Sequence, residues 1–221
     1  MSRNKNRILT FLGIFLSRIS GYIRDFVIAK YFGANYITDA FLNAFSIPNL
    51  LRGIFAEGNL SQAFIPLFNE HLARSKQESQ ELCRQVSAFL IWSTLIITIL
   101  AIIFSKEITY LICYGFKNSA EDMLPLAAKY LRIMFPLLIF LSAGALCMAV
   151  LNSFDRFFIT SFSSTLINLV TIIAAVFFTG MITGGADRKI LSLCYGTLAG
   201  AIAYFLFLLY PYIKAGYTIS L

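Results

Sequence analysis

The stretch IMFPLLIFLSAGALCMAVLNSF, residues 133–154, decides the fold class of this chain. It carries no charged side chain, and it reaches the length of roughly 20 apolar residues that a helix needs to cross a bilayer. Residues 86–105, 157–186 and 190–213 share both properties. The sequence therefore predicts an all-α membrane protein with at least four crossings.

The composition favours the same class. Of the 221 residues, 58% are hydrophobic and 13% are charged, and the mean hydropathy is +0.76. A net charge of +7 would suggest nucleic acid as a partner of a soluble protein, but basic residues of a membrane protein collect in cytoplasmic loops. No nucleic acid partner is therefore expected. Four scattered cysteines and a single histidine predict neither a metal site nor a cofactor.

The first 68 residues are apolar but interrupted by charges, and they predict two further helices. Arg3, Lys5 and Arg7 precede the first apolar run and indicate a cytoplasmic N-terminus. We predict one transmembrane domain over residues 1–221, with a polar connector at 69–85 and an interfacial or outer loop at 106–123. The six predicted helices occupy approximately residues 8–31, 36–66 with a kink at Pro48, 86–105, 130–153, 157–182 and 190–213.

Polar side chains follow one face of the first predicted helix. At about 100° per residue, they fall within about 60° of a line through Gly21. The members of this stripe are Ser17, Arg18, Gly21, Arg24 and Asp25.

The second predicted helix carries a similar stripe, centred on Ser46. Arg52 lies beside this stripe, next to Asn49. The other members are Asp39, Asn43, Asn49, Gly53 and Glu57.

Charges at membrane depth have two interpretations. Each costs about 2.5 to 3.5 kcal/mol at the bilayer centre, so several of them need partners, water or a ligand. The arginines could pair with carboxylates, for example Arg24 with Asp25, and simply join helices. Alternatively, a hydrated cavity with excess arginine charge awaits an anion, since guanidinium groups bind phosphate oxygens bidentately. An enzyme is not indicated, because Asp39 and Glu57 lack a metal, a nucleophile or a phosphate-binding glycine loop beside them.

Three stretches resemble the MurJ/MviN family, the lipid II flippases of bacterial peptidoglycan synthesis within the MOP exporter superfamily. The resemblance extends from about residue 8 to residue 217, and the combination of RxxGxxRD, PNLLR and FAEGxxSQAFIP is specific. The three stretches are SRISGYIRDFVIAKYFGA (17–34), TDAFLNAFSIPNLLRGIFAEGNLSQAFIPLF (38–68) and AVLNSFDRFFITSFSSTLIN (149–168).

The resemblance implies a helical bundle in the cytoplasmic membrane with a central cationic cavity. In the family, arginines of the first two helices engage the diphosphate of lipid II, the undecaprenyl-diphosphate-linked disaccharide-pentapeptide, and alternating access moves the headgroup outward. The matching arginines are Arg18, Arg24 and Arg52. Asp39 is implied as a further sensitive position, and Asp25 and Glu57 are weaker candidates. With their neighbours Ser17 and Asn49, these residues form the expected substrate-binding set.

The resemblance covers only the N-terminal lobe of the family. Its members have about fourteen helices in two pseudosymmetric lobes plus C-terminal helices, so a missing C-terminal lobe or a partner chain is expected. Family members often carry two arginines after PNLL, whereas here Arg52 is followed by Gly53. Two alternatives stay open: a flippase of another undecaprenyl-diphosphate-linked saccharide, and a non-transporting fragment or scaffold.

Overall fold

A computed structural model describes residues 3–55, 59–112, 123–182 and 184–220. Within these ranges the ordered elements are helices joined by short turns, which confirms the all-α prediction. The helices are α1 Arg3–Phe32, α2 Tyr36–Phe55, α3 Asn59–Arg74, α4 Lys76–Ile103, α5 Ser105–Ile112, α6 Met123–Met134, α7 Leu137–Ser153, α8 Phe157–Ile173 with a π-helical turn Ala174–Phe178, α9 Thr179–Met181, α10 Ala186–Lys189 and α11 Leu191–Lys214.

Four stretches of the described residues are long and apolar enough to cross a membrane. Each of them overlaps one of the four charge-free stretches predicted to cross, although the bounds differ by up to ten residues. Two other helices are long, since α1 and α2 extend about 45 Å and about 30 Å at 1.5 Å per residue, but charged residues interrupt both. The four spans are Lys76–Ile103, Met123–Ser153, Phe157–Met181 and Ala186–Lys214.

Two segments predicted as connectors contain helical residues. In the polar segment 69–85, α3 continues to Arg74 and α4 begins at Lys76, so Ser75 alone interrupts the helices. The connector is helical because Glu, Gln, Lys and Arg are good helix formers. Ser75 then caps α4, its Oγ accepting a 3.1 Å hydrogen bond from the N–H of Glu78.

In the second segment, 106–123, the short amphipathic helix α5 occupies the first part of the expected interfacial or outer loop, and residues 113–122 lie outside the described residues. Its buried Ser105 and Thr109 face α6, and Arg132 Nε donates a 2.6 Å hydrogen bond to Ser105 Oγ. This hydrogen bond anchors the start of α5 to α6. With eight residues, α5 is too short to cross a bilayer.

The centre of the bundle is α7, which is apolar on all sides. Buried side chains occur around its whole circumference, as expected for a helix surrounded by others. It packs against α2, α3, α4 and α11, while α1 lies farther out against α8.

Small residues bring α1, α8 and α11 into close contact. A Cβ placed on Gly13 of α1 would lie 2.7 Å from Ser161 Cβ of α8. On α11, a Cβ on Gly200 would lie 2.9 Å from the carbonyl oxygen of Ile167, and one on Gly196 would collide with Ala174. Gly196 and Gly200 form the Gly-x-x-x-Gly spacing that lets membrane helices pack backbone to backbone. These contacts hold the three helices side by side around one cavity.

Candidate anion-binding cavity

A cavity of about 270 Å³ lies between α1, α2, α7, α8 and α11. Each of these helices contributes lining residues, and polar groups come mainly from α1, α2 and α8. The lining consists of Ser17, Gly21, Arg24, Phe45, Asn49, Arg52, Leu137, Leu141, Ser164, Ile167, Asn168, Thr197 and Ala201.

Arg24 is held in place at the cavity wall by two partners. Its Nε and Nη2 donate to Asp25 Oδ1 at 3.0 and 2.7 Å, and its Nη1 donates to Asn168 Oδ1 at 3.0 Å. The Arg24 side chain is 24% exposed, whereas that of Asp25 is 66% exposed. Nη1 and Nη2 each carry a second hydrogen, so the fixed guanidinium group retains donors for a ligand.

Asn168 connects Arg24 to the body of α1. Its Nδ2 donates to Ser20 Oγ at 2.9 Å and to the carbonyl oxygen of Ser17 at 3.3 Å. Asn168 is only 8% exposed, so its amide is committed to these bonds rather than to water. Both ends of one buried amide therefore fix the distance between α8 and the arginine-bearing face of α1.

The α2 side of the cavity supplies Phe45, Asn49 and a second guanidinium group, that of Arg52. Buried Pro48 lies inside this helix, next to Asn49. Among the described lining residues, Arg24 and Arg52 carry the only charges. A concave site with two guanidinium groups and amide donors can bind an anion with several oxygens, such as a phosphate or diphosphate.

The structure brings together four of the eight predicted site residues: Ser17, Arg24, Asn49 and Arg52. Arg18, Asp25 and Asp39 are exposed and lie outside the cavity lining. Glu57 lies outside the described residues, so the structure does not test its predicted place in the site.

Three polar residues of the cavity were missed from the sequence: Ser164, Asn168 and Thr197. They lie in α8 and α11, whose apolar composition indicated plain membrane helices. A signal was present for Asn168, because an amide in a charge-free span needs a partner inside the protein.

Comparisons with known proteins agree on one family. The model of the family described as Lipid II flippase MurJ matches residues 28–221. The chain is similar to the probable lipid II flippase MurJ of Buchnera aphidicola subsp. Schizaphis graminum, with 41% identity over 90% of this chain and 38% of that protein. It is also similar to the lipid II flippase MurJ of Burkholderia cenocepacia, with 33% identity over 86% of this chain and 36% of that protein.

A solved structure shows the same fold. The protein described as lipid II flippase MurJ in an inward closed conformation superposes with a TM-score of 0.75 at 31% identity, over 96% of this chain and 43% of that one. The chain thus spans about 40% of the length of the relatives that it matches.

Proposed function

Because this chain belongs to the lipid II flippase MurJ family, a family of multi-pass membrane proteins, we propose that it acts as the N-terminal lobe of a lipid II flippase. The observation that carries the proposal is the cavity that brings Arg24 of α1 and Arg52 of α2 together with the amides of Asn49 and Asn168. The diphosphate of lipid II is the part of the cargo that two guanidinium groups recognise.

The size of the cavity agrees with a partial site. About 270 Å³ is near the lower limit of ligand pockets, which span roughly 300 to 1,000 Å³. Such a space suits the diphosphate and not a whole disaccharide-pentapeptide. We propose that a second lobe, in the same or a partner chain, completes the site, and that exposed Arg18 and Asp39 face it.

The remaining parts of the proposal concern topology. In the proposed arrangement α1 and α2 also cross the cytoplasmic membrane, which gives six crossings and a cytoplasmic N-terminus. The lobe would alternate between access from the two sides, while the lipid tail stays in the bilayer. This activity is transport and requires no covalent chemistry from the chain.

The test of the proposal is direct binding competition. A complete flippase that contains this chain, purified in detergent, should bind lipid II, and an undecaprenyl-diphosphate lipid with a different saccharide should compete poorly. Tighter binding of the other lipid would assign the chain to that lipid-linked saccharide, and equal binding would contradict specificity for lipid II, since the site would then recognise only the diphosphate common to both. Absence of binding to either lipid would contradict a flippase and favour a scaffold.

Asn168 offers a second test of this site. Replacing it with alanine should weaken lipid II binding roughly ten-fold or more, because Arg24 loses the hydrogen bond that fixes its guanidinium group. Equilibrium binding by the purified protein is the measurement.

The matched control is Asn152→Ala. The Asn152 side chain accepts a 2.7 Å hydrogen bond from Thr160, away from Arg24. This variant loses a comparable bond and should bind lipid II normally. Equal loss of affinity in both variants would mean that Asn168 only stabilises the fold and does not position Arg24 for binding.

A further inference from the structure

A second pocket, here called the interfacial pocket, lies at one end of the bundle. It has a volume of about 400 Å³ and is formed where α4 begins, where α7 passes into α8 and where α11 ends. The α7–α8 turn and the end of α11 coincide with ends of the apolar spans, and the polar first turns of α4 lie beside them, so the pocket lies at the level of a membrane surface. Its lining residues are Leu72, Lys76, Phe154, Arg156, Ala215 and Tyr217.

Two cations face this pocket from separate parts of the chain. Lys76 is the first residue of α4, and Arg156 directly precedes α8. In the described residues neither side chain forms an ion pair, whereas Arg74 and Arg84 at the same end pair with Glu70 and Glu81. The pocket thus holds positive charge that no side chain described here neutralises.

The other polar groups around the pocket are already bonded. The N–H groups of Ala215, Gly216 and Tyr217 bond to the last carbonyl oxygens of α11, and the carbonyl oxygen of Gly216 accepts a 2.6 Å hydrogen bond from Gln80. Gly216 has a φ of +92°, and a Cβ there would lie 2.9 Å from Lys76 Nζ, so the ammonium group packs over this turn. No carboxylate lines the pocket within the described residues.

The floor of the pocket is aromatic. The rings of Phe154 and Tyr217 lie 6.0 Å apart, and both contact Phe68. Tyr217 is fully buried and its hydroxyl lies 3.1 Å from Ser79 Oγ, which fixes the ring. A cationic rim above an apolar floor at membrane level matches a phosphate on a glycerol with acyl chains.

We propose that the interfacial pocket binds the phosphate headgroup of an anionic phospholipid between Lys76 and Arg156. This site lies apart from the cavity of Arg24 and Arg52 and does not depend on the proposed flippase activity. The lipid would join the start of α4 to the α7–α8 turn. Among the described residues, no side-chain hydrogen bond or ion pair connects these two places directly.

The test measures phosphatidylglycerol bound to the delipidated complete protein by native mass spectrometry. The double variant Lys76→Ala/Arg156→Ala should bind roughly thirty-fold more weakly, since each basic residue near a membrane surface contributes to anionic lipid binding. The control Arg74→Ala/Arg84→Ala removes the same charge at the same end and should bind normally. Lys76→Arg/Arg156→Lys, which keeps the charge, should retain binding and exclude a folding defect.

Three outcomes would overturn the proposal. They are unchanged affinity in Lys76→Ala/Arg156→Ala, equal loss in the control, and full displacement of the lipid by an equal concentration of free glycerol phosphate. The last result would show a phosphate site without lipid specificity.

Discussion

Replacing Arg24 with alanine is expected to abolish flipping in cells whose only flippase contains this chain. The change removes a guanidinium group that the structure fixes at the cavity wall. Loss of one partner of a buried charge pair, here the proposed pair of Arg24 with the diphosphate, lowers the affinity for the lipid by roughly 30-fold or more. Growth of the cells, together with lipid II transport in their membranes, is the measurement. Arg52→Ala should have the same effect from the α2 side.

Two controls sharpen this experiment. Arg24→Lys keeps the charge but loses the planar fork, so it should restore flipping only in part. Lys30→Ala removes a charge from an exposed position of the same helix and should grow normally. Membrane insertion must be equal in all variants. Normal growth of Arg24→Ala at equal insertion would contradict the proposed role of the cavity.

Gly200→Ala is expected to destabilise the fold more than its single added methyl group suggests. The new Cβ would lie 2.9 Å from the carbonyl oxygen and 3.0 Å from the Cα of Ile167. Backbone atoms cannot rotate away as a side chain does, so α8 and α11 must separate. The expected cost is about 1 to 3 kcal/mol, seen as a lower melting temperature in detergent.

Gly180→Ala is the matched control for this prediction. Gly180 lies in a predicted membrane span as well, but a Cβ there would meet nothing within 4 Å. Alanine is also the better helix former, so this variant should melt at or above the temperature of the wild type. A Gly200→Ala protein as stable as Gly180→Ala would show that α8 and α11 are less tightly packed than described.

The polar stripe of α1 illustrates how far the sequence predicts the site. Helical angles place Ser17 and Arg24 about 40° to 60° to one side of Gly21, and Arg18 and Asp25 on the other side. The structure turns only the first side toward the cavity. Periodicity therefore identified the face, but the choice between its two halves depends on how α1 packs on α8.

The same limit applies to α2. Asn49 and Arg52 lie to one side of the stripe through Ser46, and that side faces the cavity, while Asp39 does not. Asn168 could not be assigned from α8 alone, because its partners Ser20 and Arg24 lie more than a hundred residues away in the chain. A site between helices is specified by their packing, which a single-helix pattern does not contain.

The close contact of α1, α8 and α11 has a mechanical consequence. Where Gly13 and Gly200 bring backbones together, no flexible side chain lies between the helices to absorb relative sliding. The three helices should then travel as one slab during any opening of the cavity. Rotation of α2 against the slab would concentrate at the α1–α2 connection, where Gly33 adopts a positive φ angle of 68°. Arg24 and Asn168 would move together with the slab, whereas the distance between Arg52 and these two residues would change.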